Sequence, residues 1–231
     1  MLRVTTLYAS SAAATAKYYA QYLARAPGEV DGVWTGTQAD ALGLNGSVSV
    51  QALALLLEGR DPVRGTRLGY PLTDRTLTDG RVVCAVAGFD ATFSAPKSVS
   101  VLWALTQDPR LLEAHDAAVV AALTHLERFG STTRVRADGR RLHPDSQGLM
   151  IATFRQTTSR ADDPQLHTHA VVSAKVQTVD GRWLALDVSP PMRATRPPSS
   201  PQKCSQASDS SGPRRNPTHG RPPERFARSH G

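Results

Sequence analysis

The chain has little cysteine and no long apolar run. Its two cysteines, Cys84 and Cys204, are too few and too far apart to indicate a disulfide framework or a cysteine-rich zinc module. The absence of an 18-residue apolar stretch predicts that there is no transmembrane helix, and the N-terminal residues lack the apolar segment of a signal peptide. We therefore expect a soluble cytoplasmic protein, whose 231 residues suffice for one domain with a proper core, or for one domain and a tail.

Acidic residues are fewer than basic ones, but the excess is unevenly distributed. The net charge is +7, and residues 188–231 account for most of it, with eight basic residues against two acidic ones. Residues 1–187 are therefore almost neutral. A nucleic-acid function for this part must be argued from local motifs, because its overall charge gives no support.

The composition changes abruptly after Asp187. Residues 188–231 are rich in Pro, Ser and Arg and almost lack large apolar side chains. Such a segment cannot bury enough surface to offset the entropy of ordering, so we predict a domain over 1–187 and a disordered basic tail over 188–231. The abrupt change favours a truncated or frame-shifted C-terminus. A basic tail that tethers DNA is the alternative.

Apolar spacing and turn residues divide residues 1–187 into alternating strands and helices. Antiparallel strands interleaved with helices predict an α+β sandwich. Residues 60–80 are predicted as loops, with a hairpin turn at Asp79–Gly80. Helix 94–105 is expected to have Ser94 as its cap and Pro96 in its first turn. The predicted strands are 2–7, 82–92, 148–155, 166–178 and 183–186, and the predicted helices are 12–23, 50–58, 94–105 and 109–129.

Two histidines, His167 and His169, lie two residues apart and are followed by β-branched residues that favour a strand. Residues i and i+2 of a strand point to the same face, so the two imidazoles are expected side by side. Neutral imidazole is a common ligand of divalent metals, and the pair therefore predicts half of a metal site. The alternative is a hydrogen-bonded surface pair without metal.

Three motifs in order carry a family resemblance. Along the chain they are Lys17-Tyr-Tyr-Ala-Gln-Tyr22, Phe89-Asp-Ala-Thr-Phe-Ser-Ala-Pro-Lys-Ser-Val-Ser-Val101 and Asp163-Pro-Gln-Leu-His-Thr-His169. Over roughly residues 1–187 the chain resembles the TrwC/TraI-type (MobF) conjugative relaxases of the histidine–hydrophobe–histidine endonuclease superfamily. The resemblance implies an RRM/palm-like central antiparallel sheet backed by helices, with a metal on the open face.

The resemblance also implies a reaction, the site- and strand-specific nicking of single-stranded DNA at a plasmid transfer origin. A tyrosine attacks the phosphodiester, and the enzyme stays joined to the 5′ phosphate. Tyr18 is the first candidate for the nucleophile and Tyr19 the second. On a helix Tyr18 and Tyr22 share a face, so Tyr19 is expected to turn away from the site. Tyrosine has a reference pKa of about 10 and needs a metal and a base.

The metal ligands implied by the resemblance are His167 and His169. Asp90 would hold the far nitrogen of an imidazole or accept a proton; the alternative is that it caps the turn into the next helix. The family usually has a third histidine where this chain has Gln156. An amide oxygen is a harder ligand and shifts the preference towards Mg²⁺ or Mn²⁺. Four alternatives remain open: the metal site is weak, it is completed by water, it is inactive, or Gln156 has no metal role.

Basic and aromatic residues near the motifs are candidates for DNA contacts. Arg155 and Arg160 are expected to flank the site and clamp phosphates, and Lys97 either contacts a phosphate or lies on the solvent side of its helix. Trp34 and Trp183 are candidates for stacking on bases, whereas Trp103 lies in an apolar helix and is expected in the core. The implied partners are single-stranded DNA at a transfer origin and other relaxosome and secretion-coupling proteins, with no membrane insertion.

Two other functions are compatible with the same residues. The first is a degenerate relaxase that at most binds DNA, favoured by Gln156 and by the altered C-terminal segment. The second is a metal-dependent hydrolase that uses activated water and leaves free 5′-phosphate ends. An adduct between protein and DNA distinguishes the relaxase from both.

Overall fold

The computed structural model describes residues 1–22, 31–137, 139–159 and 161–187, without the side chains of residues 20–22, 137 and 141. The predicted disorder of residues 188–231 and the predicted role of Arg160 lie outside these described residues. In the described ranges, no helix has both the length and the apolar character needed to cross a bilayer.

A five-stranded sheet lies at the centre of the fold. Its strand order is β1-β5-β9-β8-β2, and every neighbouring pair is antiparallel. Three further strand pairs, β3–β4, β6–β7 and β10–β11, form separate hairpin sheets. The predicted α+β class with a central antiparallel sheet is confirmed. The strands are β1 (Leu2–Tyr8), β2 (Val33–Thr35), β3 (Arg75–Thr76), β4 (Val82–Val83), β5 (Val86–Ser94), β6 (Val135–Ala137), β7 (Arg140–Leu142), β8 (Ile151–Thr158), β9 (Pro164–Ser173), β10 (Lys175–Gln177) and β11 (Trp183–Ala185).

Local capping explains where two of the helices begin. The side chain of Ser49 accepts a hydrogen bond from the amide of Ala52 at the start of α3. The longest helix, α5, begins after Asp108, whose side chain accepts from the amide of Arg110, and has a proline at its first position. The helices are α1 (Ala12–Tyr22), α2 (Thr37–Ala41), α3 (Val50–Leu57), α4 (Lys97–Thr106) and α5 (Pro109–Gly130).

Helices cover both faces of the sheet. On one face α1 and α3 pack against β8 and β9, in a core that includes Ala16, Leu56, Phe154 and Val171. On the other face Val119 and Leu123 of α5 pack against the alternate residues of the same strands. We expected the metal to lie on an open face of the sheet. That expectation is corrected, because α1 packs against the face that contains the histidines.

Several predicted boundaries are wrong for local reasons. The predicted strand 82–92 is two strands, because exposed Val82 and Val83 pair with β3 around the Asp79–Gly80 turn. Helix α4 starts at Lys97 with Pro96 at its N-cap, and Ser94 stays in β5 opposite His167. The predicted strand 166–178 is likewise divided into β9 and β10, and the short elements β2 and α2 were not predicted.

Candidate active site

The register of β8 and β9 gathers the polar residues of the site. His167 lies opposite Gln156 and His169 lies opposite Phe154 in the antiparallel ladder, with a register shift just after Gln156. The two imidazole rings share one face, with their centroids 5.1 Å apart. The predicted side-by-side arrangement of the histidines is confirmed.

Hydrogen bonds at Nδ1 fix the tautomer of each imidazole. His169 Nδ1 lies 2.9 and 3.0 Å from the two carboxylate oxygens of Asp90, and His167 Nδ1 lies 2.8 Å from the carbonyl oxygen of Gln165. Both partners are acceptors, so each Nδ1 is the protonated nitrogen. Each neutral ring therefore has its lone pair on Nε2, which is the arrangement that a metal ligand requires.

Asp90 joins the histidine strand to helix α1. The residue is 6% exposed, and Tyr19 Oη donates to its Oδ2 at 2.6 Å while His169 contacts both oxygens. Thr92 Oγ1 lies 3.5 Å from Asp90 Oδ1 and 3.3 Å from His169 Nδ1. A carboxylate in β5 thus connects a tyrosine to a histidine, and the alternative in which Asp90 only caps a turn does not describe these contacts.

Tyr19 faces the site, which corrects the expectation that it turns away. The residue is 4% exposed, and its ring stacks on that of Phe154 with centroids 5.3 Å apart and meets that of His169 edge-on at 5.5 Å. Tyr18 is half-buried, and its ring meets that of Tyr19 edge-on at 5.4 Å. Helical spacing alone cannot say which side of α1 meets the sheet, because the packing of α1 decides it. The side chain of Tyr22 lies outside the described residues.

Two residues of the site were not singled out from the sequence. Thr92 follows Asp90 by two positions on β5, so strand periodicity places both on one face and could have identified it. Phe154 supports the ring of Tyr19, and its position two residues before Gln156 gives the same signal. Both residues hold the orientation of groups that contact Asp90 or His169.

The donor set fits a divalent ion with two imidazoles and one amide. Gln156 is 7% exposed and lies opposite His167, a position whose Cβ atoms are typically about 5 Å apart. Among the residues that the structure describes, no group of three or more His, Cys, Asp and Glu side chains is arranged as a metal site. The side-chain oxygen of Gln156 is therefore a candidate for a third protein ligand beside the two histidines.

The predicted DNA-contacting residues are not all at this cluster. Lys97 is exposed at the start of α4, and its Nζ donates to the carbonyl oxygen of Pro164 at 2.9 Å, near the histidine end of β9. Arg155 corrects our expectation, because it alternates with Gln156 on β8 and forms an ion pair with Asp116 of α5 on the opposite face.

The tryptophans also separate by burial. Trp34 is 7% exposed and belongs to the core, so its ring offers little exposed surface for the predicted stacking on a base. Trp183 is half-buried and packs against the same core. Trp103 is buried, as predicted.

A second polar cluster lies directly behind the histidines. His115 of α5 is buried, and its Nε2 lies 2.9 Å from Oγ1 of Thr168, the residue between His167 and His169. Burial lowers the pKa of His115 from its usual 6.5, and positive charge on Arg155 acts in the same direction, while Asp116 opposes it. The neutral imidazole thus braces the strand from its reverse face.

Comparison with known families and curated proteins gives consistent matches. The family model of the TrwC relaxase matches residues 3–200. The multifunctional conjugation protein TraI of Escherichia coli, and that of strain K12, are each 43% identical to this chain over 153 residues. Those residues are 66% of this chain but 8% of either TraI, so the chain spans a small part of these relatives.

Solved structures of similar fold are complexes of conjugative relaxase TrwC. A metal-bound complex with oriT DNA has a TM-score of 0.70 and 33% identity, covering 84% of this chain and 64% of the TrwC chain. A complex with a 27-mer DNA that comprises the recognition hairpin and the cleavage site has a TM-score of 0.68 and 33% identity, covering 84% and 63%. A metal-free TrwC complex with oriT DNA matches with a TM-score of 0.68, the same identity and the same coverage as the 27-mer complex.

Proposed function

The chain belongs to the TrwC relaxase family, and from this premise we propose that it nicks one strand of DNA at a conjugative transfer origin by tyrosine transesterification. The observation that carries the proposal is the continuous set of contacts from Tyr18 through Tyr19 and Asp90 to His169. These contacts support a cluster that contains a candidate nucleophile, a candidate proton acceptor and a candidate metal ligand.

In the reaction a tyrosine hydroxyl gives up its proton and its oxygen bonds to phosphorus. The bond from phosphorus to the 3′ oxygen breaks, and the 3′ oxygen leaves as a hydroxyl by taking up the proton that the tyrosine released. Tyr18 is the better nucleophile, because it is half-buried and accessible to a strand, whereas Tyr19 is buried with its hydroxyl donating to Asp90. Tyr19 remains the second candidate. Asp90 orients His169 and is the carboxylate able to accept a proton from the tyrosine pair.

The residues that would hold a divalent ion are His167 and His169 through Nε2 and Gln156 through its amide oxygen. When bound, the ion would polarise the scissile phosphate and compensate the charge that develops in the transition state. With one hard oxygen donor among the ligands, we propose Mg²⁺ or Mn²⁺ as the metal.

The substrate we propose is single-stranded DNA at a transfer origin. The TrwC relatives are complexed with oriT DNA, which supports this choice. Exposed Lys97, beside the histidine end of β9, is a candidate phosphate contact, and Arg160 is a second one from its sequence position. Other proteins of a relaxosome and of a secretion channel are the proposed partners in the full process.

The test is whether the chain forms a covalent adduct with DNA. The protein is incubated with Mn²⁺ and single-stranded fragments of the DNA element that encodes it, then denatured in detergent and separated by size. We expect a DNA-linked species that is lost in Tyr18→Phe and retained in Tyr19→Phe. An adduct that persists in the Tyr18→Phe, Tyr19→Phe double variant would reject tyrosine chemistry at this pair.

The same assay separates the two rival functions. Free 5′-phosphate ends without any adduct, persisting in the double tyrosine variant, would indicate hydrolysis by activated water. Binding of single-stranded DNA without cleavage in any divalent metal would indicate a degenerate relaxase, the rival that Gln156 favours.

A further inference from the structure

Arg3 brings an additional positive charge to the edge of the central sheet. Its side chain is exposed, and it belongs to no ion pair among the described residues. Asp90, on the neighbouring strand β5, pairs with His169 instead. Arg3 also lies outside the three motifs that carry the family resemblance, so the resemblance gives it no role.

Strand periodicity places Arg3 on the face of the sheet that contains the histidines. Its neighbours Leu2 and Val4 line an apolar pocket of about 220 Å³ together with Phe93 and residues of α5, on the opposite face. Successive residues of a strand alternate between faces, so Arg3 is on the same side as His169.

The register of the sheet aligns Arg3 with the site. Arg3 lies opposite Thr92 in β5, and Thr92 lies opposite His169 in β9. Adjacent strands are about 4.8 Å apart, so the backbone of Arg3 lies about 10 Å from that of His169. An extended arginine side chain spans most of that distance. A phosphate held at the histidines is therefore within its reach.

The charges of the site favour a cation at this position. The proposed metal ligands are neutral, whereas Asp90 places a carboxylate against His169. A carboxylate repels a phosphate, and further negative charge develops on the phosphate oxygens in the transition state. Arginine stays protonated and donates two parallel hydrogen bonds to a phosphate, so Arg3 offsets this repulsion without exchanging a proton.

We propose that Arg3 is a catalytic residue that binds the scissile phosphate from the side of β1. Its guanidinium donates to the non-bridging oxygens, while the metal at His167 and His169 holds the same phosphate from the other side. Because β1 lies at one edge of the five-stranded sheet, a single strand can approach Arg3 from that edge. The inference rests on the proposed function, since it needs a DNA strand at this face.

The experiment compares two single-charge variants of the full chain. Arg3→Gln removes the proposed contact. Arg128→Gln is the control, because Arg128 is also exposed and belongs to no ion pair among the described residues, but lies on α5 behind the sheet. Arg3→Lys keeps the charge without the paired geometry of the guanidinium. Fluorescence anisotropy with Mn²⁺ measures binding to oligo(dT) between about 50 and 200 mM salt.

We expect Arg3→Gln to bind oligo(dT) about tenfold more weakly than the unaltered protein does. Its plot of log affinity against log salt should be flatter by about 0.7, the value for one contact to a single strand. Arg128→Gln should follow the unaltered protein. Arg3→Lys should keep the salt slope but form the covalent adduct more slowly, because a point charge does not reproduce both hydrogen bonds.

A double-mutant cycle locates the contact. If Arg3 and the metal hold one phosphate, the loss in Arg3→Gln should be smaller when His167→Ala and His169→Ala are also present, since residues that share a partner are not additive. Additive losses would place Arg3 at a different phosphate and overturn the proposal. Equal affinities and slopes for Arg3→Gln and Arg128→Gln would overturn it as well.

The same measurements separate this inference from the proposed function. An unaltered protein that does not bind oligo(dT) would contradict the single-stranded substrate, and the role of Arg3 with it. An unaltered protein that binds oligo(dT) but forms no adduct with any fragment would contradict nicking alone, and the binding comparison would still decide whether Arg3 contacts a phosphate at the histidines.

Discussion

Asp90 is the residue on which the two halves of the site meet. Its carboxylate accepts hydrogen bonds from Tyr19 on α1 and from His169 on β9. We expect Asp90→Asn to weaken Mn²⁺ binding about 10- to 100-fold, because a neutral amide holds the Nδ1 proton of the imidazole less strongly. Adduct formation should fall with it. Isothermal titration with Mn²⁺ measures the first effect, and the gel assay measures the second.

The matched control for this substitution is Asp145→Asn. Asp145 is exposed and joins Thr132 through a backbone bridge, away from the histidines. It should bind Mn²⁺ as the unaltered protein does. If Asp90→Asn also bound Mn²⁺ with unchanged affinity, the proposed orientation of His169 by Asp90 would be wrong.

In the proposed ligand set, Gln156 is the residue that determines which metal the site prefers. Gln156→His would add a third imidazole opposite His167 on the neighbouring strand. Imidazole ligands favour Ni²⁺, Cu²⁺ and Zn²⁺ over Mg²⁺ and Mn²⁺, so we expect Ni²⁺ to displace Mn²⁺ at lower concentration than in the unaltered protein. Electron paramagnetic resonance of free Mn²⁺ during a Ni²⁺ titration measures the displacement.

The companion variant Gln156→Ala tests whether the amide is a ligand at all. Loss of an amide ligand should weaken Mn²⁺ binding, and loss of a side chain with no metal role should not. An unchanged Mn²⁺ affinity in Gln156→Ala, together with an unchanged metal preference in Gln156→His, would remove Gln156 from the site.

At the scale of elements, periodic patterns in the sequence correctly predicted the structural features that depend on a single strand or helix. The shared face of His167 and His169 follows from the strand period, and α5 was predicted to within one residue of its end. The predicted orientation of Tyr19 was wrong. Both sides of α1 contain tyrosine or alanine, so the helical pattern does not identify the side that faces the sheet, and only the packing of Tyr19 on Phe154 selects that side. Short elements such as α2, with five residues, have too little periodicity to be recognised.

The contact between α5 and β9 makes the stability of the folded domain depend on pH. Burial behind the histidine strand lowers the pKa of His115, and the positive charges of Arg155 and of the N-terminal amine lower it further, while the charge of Asp116 opposes them. As the pH falls below 6.5, the unfolded chain takes up a proton that the folded chain does not. Stability is therefore present above pH 6.5 and is lost as the pH falls towards the lowered pKa of the folded state.

The substitution His115→Gln tests this dependence. Glutamine can still hydrogen-bond to Thr168 but does not titrate. The loss of unfolding free energy as the pH falls below 6.5 should therefore be shallower than in the unaltered protein, by up to the one-proton limit of about 1.4 kcal/mol per pH unit. Urea denaturation in EDTA at several pH values measures the slope. His125→Gln, at an exposed position of the same helix, should keep the original slope. Identical slopes for all three proteins would show that His115 does not contribute.

At the scale of the whole molecule, the site depends on several elements of one domain. The candidate ligands come from β8 and β9, Asp90 comes from β5, and the tyrosines come from α1, so no single segment contains the site. The two cores on either face of the sheet hold these elements together. The resemblance named the family from three motifs, but the cover of helices on both faces depends on contacts between segments far apart in the chain.

Metal binding should therefore stabilise the domain as a unit. Binding to the folded state alone at 100 times the dissociation constant adds about 2.7 kcal/mol, and for a domain of this size that corresponds to a rise in Tm of roughly 5–10 °C. We expect a cooperative thermal transition in EDTA that moves upward with excess Mn²⁺. His167→Ala with His169→Ala should abolish the shift. The control pair His125→Ala with His143→Ala removes two exposed histidines and should retain it. A Tm indifferent to Mn²⁺ in the unaltered protein would contradict the metal site, while a shift that survives the loss of His167 and His169 would place the bound metal elsewhere.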